Sequence, residues 1–393
     1  EPVLDLDREL LERLAAEPVP ETVKQLRKRD AFAYALRQLG IEPETKQTPA
    51  GRQSYAFAKT DPFMRQLARH RDPRARKLHE LRTQGASNIN RTRAQRLLEV
   101  GTPFPVPLQY YAAHTGRAGG LDKLNPQNLP GVHRSPIRHA LRAPEGHKLV
   151  VADLKQIEVR VLAWLAGEGW LLEAFARGED PYRVFGGRFL YNKPPEDLTD
   201  AERKVAKAAV LALGFGQGHG GFLAKCEETG VPMDEPQAKR VVGVYREASR
   251  ATVAYWYQTE REALANGYLE LPSGRRLYYP NLRPQGRDHV YDVARCFAKR
   301  KSGETIKTWH GLFVNNRVQG VAWDLVGDHT LELAQHWKVV LQVHDEVGMV
   351  VPEAWAEACL AHSLDVMRKP PEWAPGLPVE GEGTIGQTYG DCK

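Results

Sequence analysis

Leu10, Leu11 and Leu14, and later Leu36 and Leu39, recur at helical spacing through residues 1–40, with Gly40 as a stop signal. Polar residues dominate from Pro43 to Arg52, where Pro49 and Gly51 mark a loop. Residues 63–100 return to a helical pattern broken near residues 85–90, and Pro103, Pro105 and Pro107 make a stiff connection. The pattern changes past Tyr110. HKLVVADL, residues 147–154, is a short β-branched apolar run that predicts a buried strand. Residues 156–165 switch to helical period, with Ile157, Val161, Leu162 and Leu165 on one face, and helical pattern continues to about Gly267. YLELPSGRRLYY predicts two short strands around a Ser273-Gly274 turn. LQVHDEVGMVV, residues 341–351, is apolar on both sides of His344-Asp345-Glu346, which predicts a β-hairpin with charges at its tip. Helices mixed with hairpins argue for an α+β fold and against a regular doubly wound sheet.

Composition narrows the class. The chain has 393 residues, 42% of them hydrophobic and 26% charged, enough for a substantial core in two or three domains and against wholesale disorder. No apolar run approaches the roughly 18 residues of a membrane helix, so no membrane partner is expected. The opening EPVLDLDREL is acidic and lacks the apolar stretch of a secretory signal, and the absence of an initial Met is what a processed product or an excised piece would show. Net charge is only +6, but between residues 65 and 96 ten cationic side chains face two acids, Asp72 and Glu80. Such a run can track a phosphate backbone or form a solvated helix face. Residues 1–107 thus read as a basic, mostly helical lobe. Cys226, Cys296, Cys359 and Cys392 have no metal-ligand spacing and read as reduced thiols of an intracellular protein.

Three segments carry candidate chemistry. Asp153 ends the apolar strand, and Asp345 with Glu346 sits at the hairpin tip. Each acid alone reads equally as a cap or a surface ion pair. Together, on strands that can meet in one sheet, they suit a hard divalent cation such as Mg²⁺. Two such ions about 3.5–4 Å apart can stabilise both oxygens of a phosphoryl displacement. The third segment is RKVAKAAVLALGFG, residues 203–216, preceded by the capping box Thr199-Asp200-Ala201-Glu202. Arg203, Lys207, Leu211 and Phe215 lie on one slowly winding stripe, as on an ordinary amphipathic helix or on one that receives phosphates at one end and a flat base at the other. Gly214, Gly216, Gly218, Gly220 and Gly221 predict unwinding beyond it.

These residues resemble family A DNA polymerases, the group of bacterial DNA polymerase I and related phage enzymes. DLKQIEVR (residues 153–160) resembles motif A, RKVAKAAVLALGFG motif B and QVHDE (residues 342–346) motif C, in the family's order. HTGR (114–117), NPQNLP (125–130), IRHAL (137–141), SGRRLYYP (273–280) and VQG (318–320) add to the likeness, which runs from about residue 75 to the end. The resemblance implies a right-hand fold with an antiparallel-sheet palm. Residues 1–107 would be a shortened thumb, 108–165 and 286–393 the palm, and 166–285 the fingers. It implies a template-directed DNA polymerase acting on primer–template DNA and deoxynucleoside triphosphates. Two Mg²⁺ ions, replaceable by Mn²⁺, would be held by Asp153, Asp345 and the Leu154 carbonyl. Arg203 and Lys207 would hold the triphosphate, with Lys207 protonating the leaving group. Gln156, Ile157, Tyr182, Leu211 and Phe215 would complete the nucleotide site, and Glu158 would crowd a ribose 2′-hydroxyl. Arg117, Gln319 and His344 would contact the minor groove near the primer terminus. Asn125, Gln127, Asn128, Arg138, Arg275 and Glu346 would also reach the nucleic acid.

The chain departs from the family pattern at Leu211 and Phe215, where aromatic and Tyr residues are usual, and at Tyr182, where a His is common. The short segment before motif A leaves no room for an exonuclease in this chain, and low processivity is the corollary. Asp5-Leu6-Asp7 is expected to be a solvated turn. A monomer in the cytoplasm of a bacterium or a phage-infected host is expected, with any processivity partner unidentified. A single-subunit RNA polymerase relative and a catalytically silent nucleic-acid-binding module are the competing readings. Glu158 and Glu346 favour DNA over RNA synthesis, and the retention of Asp153, Asp345, Arg203 and Lys207 together speaks against a silent module.

Overall fold

The computed structural model of the chain describes residues 3–16, 21–47, 52–58, 61–85, 89–102, 104, 106–121, 125–133, 135–292 and 304–392. Two units are distinguished, one formed by Asp5–Phe104 with Pro130–Leu141, the other by Glu1–Leu4, Pro105–Leu129 and Arg142–Lys393.

In the larger unit the apolar run His147–Leu154 is a central strand of a four-stranded antiparallel sheet, paired on one side with Glu346–Pro352 and on the other with Gly381–Gly386. Val339–Val343 closes the hairpin with Glu346–Pro352. The uninterrupted hydrophobicity of LVVA and VGMVV follows from burial on both faces of the sheet. The helix Ala356–Met367 covers the sheet. Gly383 in the edge strand permits this approach, since a Cβ there would lie 2.7 Å from Leu360 and 2.8 Å from the Val151 carbonyl. The core continues through Ile157, Trp170, Phe185, Tyr245, Trp256, Tyr279 and Phe313.

The helical pattern between residues 157 and 267 resolves into separate elements for identifiable reasons. Ile157–Ala166 and Arg250–Asn266 both end on glycines with positive φ, Gly167 at +65° and Gly267 at +72°. Phe185–Tyr191 is a π-helical turn, where Gly187 packs against the Lys193 carbonyl at a distance no Cβ would tolerate. Asp200–Leu213 begins at the capping box expected from sequence: the Thr199 hydroxyl accepts the Glu202 N–H, and the Glu202 carboxylate accepts the Thr199 N–H at 2.8 Å. Lys193, then Thr199, holds the Glu202 carboxyl down to about 2.

The smaller unit contains Arg8–Ala16, Glu21–Arg27, Arg29–Arg37, Pro62–Ala68, Pro73–Gly85 and Ile89–Val100, so the basic stretch is helical, with a break at residues 69–72; the break expected near residues 85–90 falls on residues 86–88, outside the described ones. Phe32, Leu36, Phe57, Phe63, Met64 and Leu67 form its core, and the Arg82 guanidinium lies 4.5 Å from the Phe32 ring. Two sequence expectations are corrected here. Asp5–Leu6 is a short strand with Leu6 buried, and Asp7 caps the first helix by accepting the Leu10 N–H at 2.9 Å, so this is no solvated turn. The polar loop contains an exposed strand, Thr45–Gln47, paired with Gln53–Tyr55, because backbone pairing needs no apolar alternation in a strand that faces solvent. Cys226, Cys359 and Cys392 are buried and form no disulfide among the described residues, while Cys296 lies outside them. No described helix is long and apolar enough to cross a membrane.

Thr199→Ala removes a reciprocal cap and should cost about 1 kcal/mol of stability. Urea unfolding should show a lower midpoint, largely recovered in Thr199→Ser.

Candidate active site

The antiparallel register sets Asp153 directly opposite Glu346, with Asp345 as the preceding turn residue. The Leu154 N–H donates to the Asp345 carbonyl at 3.2 Å. Asp153 and Asp345 therefore stand on adjacent backbone segments, within about 7 Å by ordinary cross-strand geometry. The turn is tight: His344-Asp345 alone joins the hairpin strands, and His344 takes φ +57°, a conformation that usually calls for glycine. Asp153 and Asp345 are half-buried and His344 is exposed. Glu346 is only 3% exposed. The sequence directs Glu346 to the nucleic acid; the structure seats its side chain in the sheet beside Asp153.

A second sharp turn follows the central strand. Gln156 has φ +51° and starts the helix Ile157–Ala166. Arg160, not anticipated from sequence, braces this turn by donating to the Lys155 carbonyl at 2.8 Å and the Pro378 carbonyl at 2.6 Å. The turn aims Glu158 into a cavity of about 320 Å³ lined by Arg117, Gln156, Ile157, Val159, Leu211, His344 and Asp345. Glu158 lies 3.8 Å from Arg117, with Gln319 close enough to oppose the rise of its pKa. Burial raises its carboxyl pKa, opposed by Arg117 and reinforced by Asp345.

On the helix Asp200–Leu213, Arg203 and Lys207 stand over Tyr182, 5.6 and 5.7 Å from its ring centre. Asp180 organises this corner: it accepts Arg203 at 2.6 Å and caps the Tyr182 N–H at 2.9 Å. Asp180 had no motif to betray it. Its only sequence signal is the Asp-Pro that begins a helix. Tyr182 is buried, and its phenol is pushed up to about 12, first by burial and then by Asp180. Leu211 faces the cavity, but Phe215 departs from the expected stripe because the helix ends at Leu213. The anticipated unwinding is confined to residues 214–218, since Gly220 and Gly221 belong to the next helix, His219–Thr229. Trp256 donates to the Gly214 carbonyl at 2.7 Å, Gly216 takes φ +72°, and Gly311 is required where the Phe215 carbonyl presses against it.

The remaining expected contacts separate. Asn125 caps a short 3₁₀ turn by accepting the Gln127 N–H at 3.0 Å, Gln127 donates to the Ala118 carbonyl at 3.3 Å, and Asn128 closes that turn. Arg138 belongs to the smaller unit and donates to the Pro130 carbonyl at 2.9 Å. Arg275, expected at the nucleic acid, is half-buried and forms an ion pair with Asp324 at 2.8 Å. Among the described residues no group of three or more His, Cys, Asp or Glu gathers to hold a metal. The available oxygen donors are the two neighbouring carboxylates and nearby carbonyls, a set that suits Mg²⁺ sharing its shell with substrate phosphates.

The model of DNA polymerase family A matches residues 7–391. The chain belongs to DNA polymerase family A. It is 30% identical over 288 residues to the DNA polymerase of Bacillus phage SP02, covering 66% of this chain and 44% of that protein. It is 32% identical over 255 residues to DNA polymerase I of Pseudomonas aeruginosa, covering 62% and 25%. Thermostable DNA polymerase I of Thermus aquaticus is 30% identical over 292 residues, covering 72% and 32%. The chain thus spans less than half the length of these curated relatives. Its fold matches the POL domain of Pol1 from M. smegmatis, solved with DNA primer-template and dNTP, with a TM-score of 0.74 at 22% identity over 99% of this chain and 68% of that one. The family A polymerase fold is therefore the architecture of this chain.

His114, in the HTGR segment, packs on the Tyr279 and Tyr291 rings with both ring nitrogens shielded from solvent, and burial lowers its pKa to about 4. The folded state then binds fewer protons than the unfolded state between these values, so its stabilising share is complete above about pH 6.5 and lost as pH falls through about 4. Glu158 acts in the opposite sense. The urea midpoint should fall as pH is lowered from 7 to 4, and fall less in His114→Phe.

Proposed function

We propose that the chain is a template-directed DNA polymerase that extends a primer 3′-hydroxyl with deoxynucleotides and releases pyrophosphate. The observation that carries this reading is one cavity lined by Glu158 of the helix that follows the central strand, by Asp345 of the hairpin turn and by Leu211 of the cationic helix. A site for metal-bound phosphate and a site for the sugar are thereby contiguous.

Asp153, Asp345 and the Leu154 carbonyl would hold two Mg²⁺ ions. Such ions lower the charge cost at attacking and departing oxygens of phosphoryl transfer. Arg203 and Lys207 bind the triphosphate oxygens, aided by the N-terminal dipole of Asp200–Leu213. Asp180 keeps the Arg203 guanidinium oriented before the nucleotide arrives. Lys207 supplies a proton to the departing pyrophosphate. Glu158, pinned between Arg117 and Gln319, occupies the space a ribose 2′-hydroxyl would need. Arg117, Gln319 and the exposed His344 face the minor groove of the terminal base pair, where duplex shape is sensed more than sequence. In this reading residues 1–107 act as a thumb, 108–165 and 286–393 as a palm, and 166–285 as fingers.

Primer extension on a labelled hairpin with four deoxynucleotides and Mg²⁺ tests the proposal. Asp153→Asn and Asp345→Asn should each lower kcat by on the order of 10²-fold or more. A chelator should abolish extension, and added Mg²⁺ or Mn²⁺ should restore it. Absence of extension by the wild-type chain would refute the reading. Glu158→Ala should relax discrimination against ribonucleotides by about 10- to 200-fold, read as the ratio of kcat/KM values.

A further inference from the structure

The resemblance directs Arg275 to the nucleic acid, yet four of its five N–H donors are engaged inside the protein. Its Nε donates to Asp324 at 2.8 Å and one Nη to the Tyr111 hydroxyl at 3.3 Å. The other Nη bridges two carbonyls, those of Thr115 at 2.8 Å and Gly320 at 3.1 Å. Asp324, 14% exposed, also accepts the Ser273 hydroxyl, so the guanidinium charge is neutralised locally.

The two bridged carbonyls are informative. Thr115 stands two residues before Arg117, and Gly320 immediately follows Gln319. Arg117 and Gln319 converge on Glu158 from separate segments. Space around the guanidinium is built for it. Gly116 has φ +91°, and a Cβ there would lie 2.5 Å from Arg275 Nη1. At Gly320 an added Cβ would lie 3.4 Å from Nη2 and 2.8 Å from Leu271. A planar fork can span two backbone segments in this way, and a lysine point charge cannot.

We propose that Arg275, held by Asp324, is a positioning residue that sets the spacing of Arg117 and Gln319 and does not itself bind DNA. The inference rests on the polymerase reading, in which those two side chains face the minor groove at the primer terminus. It makes the Arg275–Asp324 pair a determinant of how strictly the enzyme senses the shape of the last base pair.

Two measurements on the whole chain test it. Primer–template affinity is measured by fluorescence anisotropy across a salt series for wild type, Arg275→Ala, Arg275→Lys and Asp324→Asn. Extension is compared for primers ending in guanine or in 3-deazaguanine, which lacks the minor-groove N3 acceptor. Positioning predicts an unchanged slope of log K against log salt in all variants. It also predicts that the wild-type penalty for 3-deazaguanine shrinks at least severalfold in Arg275→Ala, and that Arg275→Lys does not restore it. Asp324→Asn, which keeps the cation, should reproduce the loss. A direct phosphate contact would instead reduce the salt slope by about 1 in Arg275→Ala. It would leave the 3-deazaguanine penalty intact and make Asp324→Asn bind more tightly. That pattern overturns the proposal while extension by the wild type upholds the polymerase reading. A wild-type chain that fails to extend any primer removes both. Thermal melting shows which variants fold, and the conservative Asp324→Asn keeps the test decisive where Arg275→Ala unfolds.

Discussion

Backbone pairing between His147–Leu154 and Glu346–Pro352 is the constraint on which the site depends. It places Asp153 opposite Glu346 and next to Asp345. Because side chains alternate, a slip of one residue would turn Asp153 to the opposite face and take Val150 and Ala152 away from the neighbours they pack against. The apolar content of both strands therefore protects the chemistry at their ends. LVVA and VGMVV are buried on both faces, so each side chain is held by the neighbours it packs against there.

Around that pairing the larger unit uses short, stiff transitions to aim functional groups. Gln156 and His344 both take left-handed backbone conformations where the chain leaves the sheet. Such positions cost of order 1–3 kcal/mol each and persist only where surrounding structure enforces them. Arg160 supplies part of that enforcement for the first turn. The sheet side of the cavity is thus rigid by construction, while its helix side is tied at Asp180 and Trp256.

Local signals were legible in the sequence. The buried strand, the charged hairpin tip, the capping box at Thr199 and the glycine-rich end of the cationic helix each depend on a few consecutive residues, and each is found where its pattern predicts. What escaped was nonlocal. Asp180 meets Arg203 from another helix, Arg275 is turned inward by Asp324, and Glu346 is sealed by the strands on either side of it. A charged residue in a motif carries no mark of whether its partner is protein or ligand. Phe215 shows a different limit, since periodicity continued past Leu213 but the helix did not. The exposed strand Thr45–Gln47 escaped because its pairing leaves no hydrophobic trace.

Anchoring of the Gly214 carbonyl by Trp256 gives the cationic helix one fixed end. At 1.5 Å per residue, Arg203 lies about 16 Å along the axis from that point, and Leu211 only about 4 Å. Any tilt about the tryptophan-held end is therefore a lever. A rotation of about 10° would carry the arginine roughly 3 Å while displacing the leucine by less than about 1 Å. Geometry alone thus separates the two ends of the helix, and the ion pair of Arg203 with Asp180 restrains the end that has the longer arm.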